Sequence, residues 1–224
     1  MFKQKIMSFA KTVLKKRANI GFAFDGDGDR LIVVDEKGNL IDGDKILALF
    51  AKNFLKIKNK KERKIVVSTV MSNLGFEKYL NEVLNTSLIR TSVGDLNVIN
   101  AMKKTKSFLG GEQSGHIILS KYSNTGDGLL AALKIVEIMS FQKNKTSKIF
   151  DLYREFPQKK INIRYKTVNS NIRKKINSLS LNKSVKTNLY RLLIRFSGTE
   201  PLIRILVEGP RKKEVEKIAR EFNN

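Results

Sequence analysis

The sequence predicts an α/β protein: the end of one mixed α/β domain, then a complete mixed α/β domain, then a small α+β domain. Three observations support this fold class. Short apolar runs alternate with segments of helical periodicity, glycine-rich loops separate many of them, and 41% of the 224 residues are hydrophobic, enough for ordinary cores. Polar, lysine-containing segments divide the chain, so we predict three parts, at residues 1–57, 58–146 and 147–224.

Apolar periodicity assigns the elements in chain order. A helix through Phe9, Val13 and Leu14 comes first. Predicted strands lie at 20–24, 31–36, 64–68, 87–93, 107–113, 160–165, 190–196 and 202–209. Predicted helices lie at 44–55, with Asp42 or Asp44 as the N-cap, and at 73–84, 95–102, 128–141, 170–179 and 211–222. The lysine run 56–64 is predicted to be a linker.

Composition limits the kinds of site that the chain can build. It has no cysteine and a single histidine, His116, so a bound metal would need oxygen ligands. No apolar run reaches the roughly 18 residues of a membrane span, and we predict a cytoplasmic protein without membrane association. The formal net charge of +23 raises nucleic-acid binding as an alternative. Scattered lysines, without aromatic residues beside the densest run, disfavour it.

The loop 25–29, Asp-Gly-Asp-Gly-Asp, places three carboxylates two residues apart between two apolar strands. Glycine lets the backbone curl so that these side chains converge. Carboxylates about 4 Å apart repel by roughly 4 kcal/mol per pair at an effective dielectric of 20, which a bound Mg²⁺ would offset. An EF-hand ending at Glu36 is one alternative, but Arg30 occupies the position that needs glycine. A metal-free polar turn is the other.

Two further loops carry polar side chains next to strands. In the loop 110–116, Gly-Gly-Glu-Gln-Ser-Gly-His, the polar side chains could bind several hydroxyls of a sugar, although a simple polar turn remains open. The segment 125–128, Thr-Gly-Asp-Gly, is predicted to cap a helix. The loop 195–201, followed by Arg204, combines arginines, hydroxyls and a glycine turn. These groups predict a phosphate site.

All three loops, in this order, resemble the α-D-phosphohexomutases, as DGDGDR, GGEQSGH and RFSGTEPLIR. The resemblance covers the chain from about Ala18. GGEQSGH, with KIVVSTVMSNLGFEKYL before it and TGDGLLAAL after it, is most similar to family members that interconvert glucosamine 6-phosphate and glucosamine 1-phosphate. A hexosamine phosphate substrate is therefore implied. Leu96-Asn97 and Phe196 depart from the usual pattern and leave another hexose phosphate open.

The resemblance also implies a role for individual residues. The implied Mg²⁺ ligands, which act together with a phosphorylated serine, are Asp25, Asp27 and Asp29. The implied catalytic residues are Arg30, beside the metal, and His116, near the reacting oxygens. The implied sugar contacts are Glu112, Ser114 and His116. The implied contacts to the phosphate that is not transferred are Arg195, Ser197, Gly198, Thr199 and Arg204.

One family motif is missing from the 224 residues. The serine of the family lies in an amino-terminal motif of the type T-A-S-H-N-P, and this chain's single histidine belongs to the loop 110–116. The chain resembles the carboxyl-terminal half of such an enzyme, so we expect it to be inactive alone and to need an amino-terminal half, either in the same polypeptide or encoded separately. A non-catalytic remnant that binds Mg²⁺ and sugar phosphate is the alternative. We also expect exposed strand edges.

Overall fold

The computed structural model describes residues 2–55, 64–165, 190–197 and 200–222. The chain forms two compact units, Met1–Arg154 and Glu155–Asn224, and the predicted α/β fold class is confirmed. Residues 56–63 of the predicted linker, the predicted helix 170–179 and the site residues Gly198 and Thr199 lie outside the described residues. The division into three parts stays a prediction.

The first unit contains two sheets and the helices that cover them. Strands β1, β2 and β3 form an antiparallel sheet in that order. The second sheet has the order β5-β4-β6-β7, with β4 parallel to both neighbours and β7 antiparallel to β6. The strands are β1 (Ile20–Phe24), β2 (Leu31–Asp35), β3 (Leu40–Ile41), β4 (Lys64–Thr69), β5 (Thr86–Thr91), β6 (Leu109–Gly111) and β7 (Ile117–Leu119). The helices are α1 (Phe2–Lys15), α2 (Gly43–Phe54), α3 (Leu74–Glu82), α4 (Asp95–Thr105), α5 (Gly128–Gln142) and α6 (Thr146–Ile149).

The second unit is a small α+β unit with its own core. It consists of β8 (Gln158–Arg164), β9 (Arg191–Phe196), β10 (Leu202–Glu208) and α7 (Lys212–Arg220). The strand order is β8-β10-β9, antiparallel throughout. One cluster of buried apolar side chains, from the sheet, from the residue before β9 and from the inner face of α7, forms this core: Ile161, Tyr190, Ile205, Val207, Val215 and Ala219. Among the described helices of both units, none has the length and apolar character that crossing a bilayer requires.

Most predicted elements within the described residues are confirmed to within a few residues, and three short ones are missing from the prediction. These are β3, β7 and α6, which have two, three and four residues. Such lengths are too short to show a period in the sequence. β7 reads as three apolar residues in a row because both of its faces are buried.

A close approach of helix to strand places α1 on the first sheet. A Cβ at Gly21 of β1 would lie 2.4 Å from Cγ2 of Val13 in α1, so only glycine allows this contact. On the other side of β1, strand β2 is almost completely buried. Its apolar run therefore belongs to the centre of the unit, and the loop between β1 and β2 is held at the edge of this core.

Helix α2 is the central element of the first unit. The side chain of Asp42 accepts a hydrogen bond from the backbone N–H of Lys45 at 3.1 Å, which confirms one of the two predicted N-caps. The other candidate, Asp44, lies in the first turn and is completely buried. Burial, and then the neighbouring charge of Asp42, raises the pKa of Asp44 to about 7.

A buried polar network connects Asp44 to the strand that leads into the loop 110–116. The backbone N–H of Asn73 donates to Oδ2 of Asp44 at 2.7 Å. The hydroxyl of the neighbouring Ser72 lies 2.6 Å from that of Ser68, which in turn donates to the carbonyl of Gly111 at 2.7 Å. These bonds satisfy polar groups that would otherwise be costly to bury.

The raised pKa of Asp44 predicts a specific pH dependence of stability. The folded protein holds the carboxyl proton of Asp44 more tightly than the unfolded chain does. The stabilisation that this difference gives is therefore fully present below pH 3.8 and is lost as the pH rises to about 7. The difference in unfolding free energy between the protein and Asp44→Asn should therefore change by roughly 4 kcal/mol over that range, with the variant favoured at high pH.

Urea unfolding at several pH values, followed by circular dichroism, measures this difference. Asp151→Asn, at an exposed carboxylate, is the control and should track the unmodified protein at every pH. Parallel stability curves for the unmodified protein and Asp44→Asn would contradict the assignment.

Candidate functional site

The loop 25–29, called the aspartate loop from here on, connects β1 to β2 and brings its three carboxylates together. One oxygen from each of Asp25, Asp27 and Asp29 lies within 4.8 Å of the others. Gly28 has a φ of +73°, and its N–H donates to the carbonyl of Asp25 at 3.3 Å, which closes the turn. Oxygen atoms at this spacing form a group that could hold a divalent cation.

Glu36, the last ligand position of the EF-hand alternative, points elsewhere. Its carboxylate accepts hydrogen bonds from the backbone N–H and the hydroxyl of Ser147. Burial would raise the pKa of Glu36, but these hydrogen bonds outweigh it and lower the pKa. Glu36 therefore ties β2 to α6 and is committed to that contact.

Arg30 follows the aspartate loop and binds back to it. Its backbone N–H donates to Oδ1 of Asp25 at 3.1 Å. Its Nε lies 2.7 Å from Oδ2 of Asp25 and 3.5 Å from Oδ1 of Asp29. Burial would raise the pKa of Asp25, but hydrogen bonding, first from the backbone of Arg30, together with the charge of its guanidinium lowers it. The guanidinium thus offsets part of the negative charge of the loop.

The imidazole of His116 lies directly beside these carboxylates. Its side chain is buried, and Nδ1 is 3.1 Å from Oδ2 of Asp29. Nε2 is also buried, and within the described part of the chain it has no hydrogen-bond partner. A Cβ at Gly126 would lie 2.3 Å from Cε1 of His116, so glycine lets the segment 125–128 close over the ring.

Backbone contacts hold the aspartate loop and the loop 110–116 together. Arg30 and His116 form an isolated antiparallel bridge, and the N–H of Leu31 donates to the carbonyl of Gly115 at 3.0 Å. A second contact ties the aspartate loop to the segment 125–128, where the N–H of Gly128 donates to the carbonyl of Gly28, also at 3.0 Å. The sequence predicts each loop separately, and the structure brings them side by side.

The carboxylate of Glu112 is oriented by two neighbours. Oε1 accepts a hydrogen bond from the N–H of Gly94 at 3.0 Å, and Oε2 accepts one from the hydroxyl of Ser114 at 3.3 Å. The N–H of Gly43 donates to the carbonyl of Gln113, and a Cβ at Gly43 would lie only 2.0 Å from the carbonyl oxygen of Glu112. The polar groups of this loop therefore have fixed positions.

Sequence reasoning missed the supporting glycines Gly43, Gly94 and Gly126. A signal was present at Gly43 and Gly94, because glycine at the start of a helix is neither a strong helix former nor the usual side-chain cap. At Gly126 the predicted helix cap is confirmed, since Asp127 accepts a hydrogen bond from the N–H of Leu130 at 2.8 Å. The same segment has the additional task of covering His116.

The third loop, in the second unit, places two arginines opposite each other. Arg195 of β9 pairs with Arg204 of β10, and like charges at directly opposed positions destabilise a sheet. Burial, and then the charge of Arg204, lowers the pKa of Arg195. Arg204 also donates to the carboxylate of Glu200 at 2.8 Å. This arrangement favours a bound anion, which would relieve the repulsion.

Two polar atoms of this loop are buried without a hydrogen-bond partner among the described residues. They are the hydroxyl oxygen of Ser197 and Nε of Arg204. The backbone of Ser197 is fixed, since its N–H donates to the carbonyl of Leu202 at 2.8 Å. Unsatisfied buried donors beside two arginines are the groups that a phosphate can accept hydrogen bonds from.

Comparison with known proteins adds sequence and fold relationships. The family pattern described as phosphoglucomutase/phosphomannomutase, alpha/beta/alpha domain III, matches residues 42–156, and that of the phosphoglucomutase/phosphomannomutase C-terminal domain matches residues 173–224. The phosphoglucosamine mutase of Lawsonia intracellularis is 44% identical over 215 residues, which are 95% of this chain and 47% of that protein. The phosphoglucosamine mutase of Geobacillus thermodenitrificans is 44% identical over 220 residues, which are 95% of this chain and 48% of that protein.

Solved structures share the fold at lower identity. A phosphoglucomutase/phosphomannomutase family protein of Burkholderia thailandensis matches with a TM-score of 0.80 at 22% identity, over 98% of this chain and 49% of that one. Aspergillus fumigatus N-acetylphosphoglucosamine mutase, in complex with GlcNAc-6P and magnesium, matches with a TM-score of 0.68 at 21% identity, over 89% of this chain and 50% of that one.

Two quantities decide what these similarities mean. The chain spans about half the length of the phosphoglucosamine mutases that it matches. The family patterns together cover more than half of its own residues. The chain is therefore a member of the phosphoglucomutase/phosphomannomutase family, the α-D-phosphohexomutases, and corresponds to domains III and IV of that family together with a preceding segment that carries the aspartate loop.

Proposed function

We propose that this chain supplies three loops of a phosphoglucosamine mutase, which interconverts glucosamine 6-phosphate and glucosamine 1-phosphate. They are the metal loop (the aspartate loop, 25–29), the sugar loop (110–116) and the phosphate loop (the third loop, 195–201). The observation that carries the proposal is the contact of the Asp25–Asp29 loop with His116 of the sugar loop. Relatives named phosphoglucosamine mutase at 44% identity support the choice of a hexosamine over another hexose.

The aspartate loop is the proposed Mg²⁺ site. Three carboxylate oxygens within 4.8 Å of one another fit a hard cation that prefers oxygen ligands, and a solved relative is described in complex with magnesium. Asp25, Asp27 and Asp29 would hold the ion. When bound, Mg²⁺ supplies electrostatic stabilisation of a phosphoryl group during its transfer.

The residues around the aspartate loop have complementary proposed roles. Arg30, already paired with Asp25, places a permanent positive charge where phosphoryl oxygens would approach. Asp29 orients the imidazole of His116, so that this ring can hold or release a proton near a reacting sugar oxygen. Glu112 and Ser114 would bind sugar hydroxyls, since their positions are fixed by Gly94 and by each other.

The third loop would hold the phosphate that is not being transferred. Arg195 and Arg204 provide the charge, and the hydroxyl of Ser197 provides a donor without a partner among the described residues. Gly198 and Thr199 complete the proposed contact set. Because this phosphate does not react, the loop orients the sugar and does not take part in bond breaking.

The proposed reaction also needs a phosphoserine, whose phosphoryl group passes to one sugar oxygen; the sugar hydroxyl loses its proton, the serine oxygen gains one as its bond to phosphorus breaks, and the return transfer reverses this exchange. The resulting bisphosphate turns over, and its other phosphate returns to the serine. The 224 residues contain no T-A-S-H-N-P motif, and the matched relatives are about twice as long. We therefore propose that an amino-terminal half, in the same polypeptide or separate, supplies the serine and that this chain alone is inactive.

Removing one proposed metal ligand should weaken Mg²⁺ binding. Asp27 is exposed and makes none of the structural contacts seen for Asp25 and Asp29, so Asp27→Asn should fold normally but lower the Mg²⁺ affinity about tenfold or more. Isothermal titration calorimetry with MgCl₂ measures the affinity, and Asp151→Asn is the matched control. Equal affinities for Asp27→Asn and the unmodified chain would refute a metal site here.

Inorganic phosphate should stabilise the second unit through Arg195. Addition of phosphate should raise the melting temperature of the unmodified chain, because a ligand that binds only the folded state shifts the unfolding equilibrium. Arg195→Met should lose this rise, while its melting temperature without phosphate stays equal or increases, since the repulsion with Arg204 is gone.

Differential scanning calorimetry in sodium phosphate and in sodium chloride of equal ionic strength measures both effects. Arg220→Met, at an exposed arginine of the same unit, is the control and should keep the phosphate response. A full phosphate response in Arg195→Met would contradict the assignment of this loop.

Reconstitution tests the proposed activity directly. This chain, mixed with the serine-bearing amino-terminal half of the Lawsonia intracellularis phosphoglucosamine mutase, should convert glucosamine 6-phosphate to glucosamine 1-phosphate, as followed by ³¹P NMR. Either half alone should not. Faster conversion of mannose 6-phosphate or glucose 6-phosphate would favour a different hexose, and a complex that binds sugar phosphate without any turnover would favour the non-catalytic alternative.

A further inference from the structure

The two faces of the sheet β5-β4-β6-β7 are covered by different elements. Because side chains alternate across a strand, Val66 and Ile117 lie on one face and Val67 and Ile118 on the other. The first face shares a core with α2, α3 and α5 and with Leu31 of the sheet β1-β2-β3. The second face packs on α4. A feature on this second face is therefore separated from the sheet β1-β2-β3 by the strands themselves.

A cavity opens beside α4 on this second face. The helix lies over β4, β5 and β6, and the floor next to it is formed by Ile118 of β7 together with Ile99 and Met102 of α4. Met102 and Ile118 are buried, so the floor is apolar and firmly packed. The volume of about 270 Å³ lies near the lower end of the range for small-molecule pockets. The cavity therefore has room for a compact organic molecule.

Positive charge without a counter-charge surrounds the mouth of this cavity. Lys103 and Lys106 line it, and within the described part of the chain neither has a carboxylate partner. The side-chain amide of Asn124, another lining residue, likewise makes no hydrogen bond to a described residue. The hydroxyls of Ser107 and Ser120 already donate to backbone carbonyls. The two lysines and the amide are thus the donors left for a ligand, and an anion is the ligand that they suit.

Lysines near the end of a helix have an ordinary explanation as well, since positive side chains stabilise its carboxyl end. Lys104 fits that explanation alone, because it lies in the last turn of α4 but does not line the cavity. Lys103 and Lys106 differ from it, because they stand beside an apolar floor. A charged mouth over an apolar floor matches a ligand that has an anionic head and an apolar body.

The cavity lies at the far end of the β6-β7 hairpin from the sugar loop. Ser107 precedes β6 and Ser120 follows β7, whereas the sugar loop joins the other ends of the two strands. Met102 connects the two places. It forms part of the floor, and it packs on Gly110, the first residue of the sugar loop, where a Cβ would lie 2.4 Å from the sulfur of Met102. An occupant of the cavity would therefore touch a side chain that touches the sugar loop.

We propose that this cavity is a second ligand site, for a small organic anion with an apolar body, either a carboxylate or a phosphate monoester. The head group pairs with the two lysines and accepts a hydrogen bond from Asn124, while the body covers the apolar floor. By contact with Met102 the occupant also changes the surroundings of Gly110 and so of the sugar loop. The site goes beyond the proposed function, which uses none of the residues that line the cavity.

Titration of the full chain with sodium hexanoate, followed by amide NMR, tests the site. Saturable shifts are expected at Met102, Lys106 and Ile118. Sodium acetate, the head alone, and 1-hexanol, the body alone, should bind about tenfold more weakly or worse, because each lacks half of the interaction. The tighter of hexanoate and hexyl phosphate identifies the head group. Equal affinity for hexanol and hexanoate, or shifts confined to other surfaces, would overturn the proposal.

Three substitutions locate the binding. Lys103→Glu reverses one charge at the mouth and should weaken hexanoate binding about tenfold. Lys104→Glu, at the adjacent exposed lysine, makes the same charge change away from the cavity and should alter the affinity by less than about twofold. Ser120→Phe leaves the charge unchanged, and its ring should fill the mouth and abolish the shift at Met102. Circular dichroism establishes that each variant is folded. Unaltered binding in Lys103→Glu, or an equal loss in Lys104→Glu, would contradict the site.

The effect on the sugar loop is measured from separate signals. Hexanoate should also shift the amides of Gly110 and Glu112, and binding at Met102 without these shifts would overturn the link to the sugar loop. Asp27→Asn and Arg195→Met should bind hexanoate as the unmodified chain does, because neither residue lines the cavity. A failure of the metal or phosphate predictions is therefore distinguishable from a failure of this site.

Discussion

The site depends above all on a backbone junction between two sheets. The bridge between Arg30 and His116, with the hydrogen bond from Leu31 to Gly115, joins the end of the aspartate loop to the sugar loop. Each loop is a turn at the end of short strands, and the junction ties one loop to the other. Because the junction uses main-chain groups in a buried region, it is satisfied only in one register, and it fixes His116 beside the carboxylates.

Glycine makes this junction possible. At Gly115, with a φ of +97°, a Cβ would lie 2.2 Å from the carbonyl oxygen of Leu31, so any side chain would push the two loops apart. Gly43 allows the same close approach from α2, and Gly126 from the segment that covers His116. Gly43, Gly115 and Gly126 thus serve close packing, and they determine the spacing of the polar groups around them.

The two units concentrate charges of opposite sign at their candidate sites. In the first, carboxylates converge and Arg30 offsets only part of their charge, which favours a cation. In the second, Arg195 and Arg204 oppose each other across a strand pair, which favours an anion. Each unit therefore holds a charge arrangement that a ligand of opposite sign would stabilise. A metal and a sugar phosphate are ligands of these two kinds, and local electrostatics here say more about function than the net charge of +23 does.

The sequence by itself determined the elements and the motifs, because helical spacing, apolar runs and the order of carboxylates, glycines and arginines are local properties. The fold class and the three candidate loops follow from it, whereas the choice of Asp42 over Asp44 as the N-cap of α2 came from the structure. Tertiary structure alone decided that Asp29 meets His116, that Asp44 is a buried acid and that Glu36 is committed to Ser147. These contacts join residues from 29 to 111 positions apart, and no local pattern encodes the packing that brings such residues together.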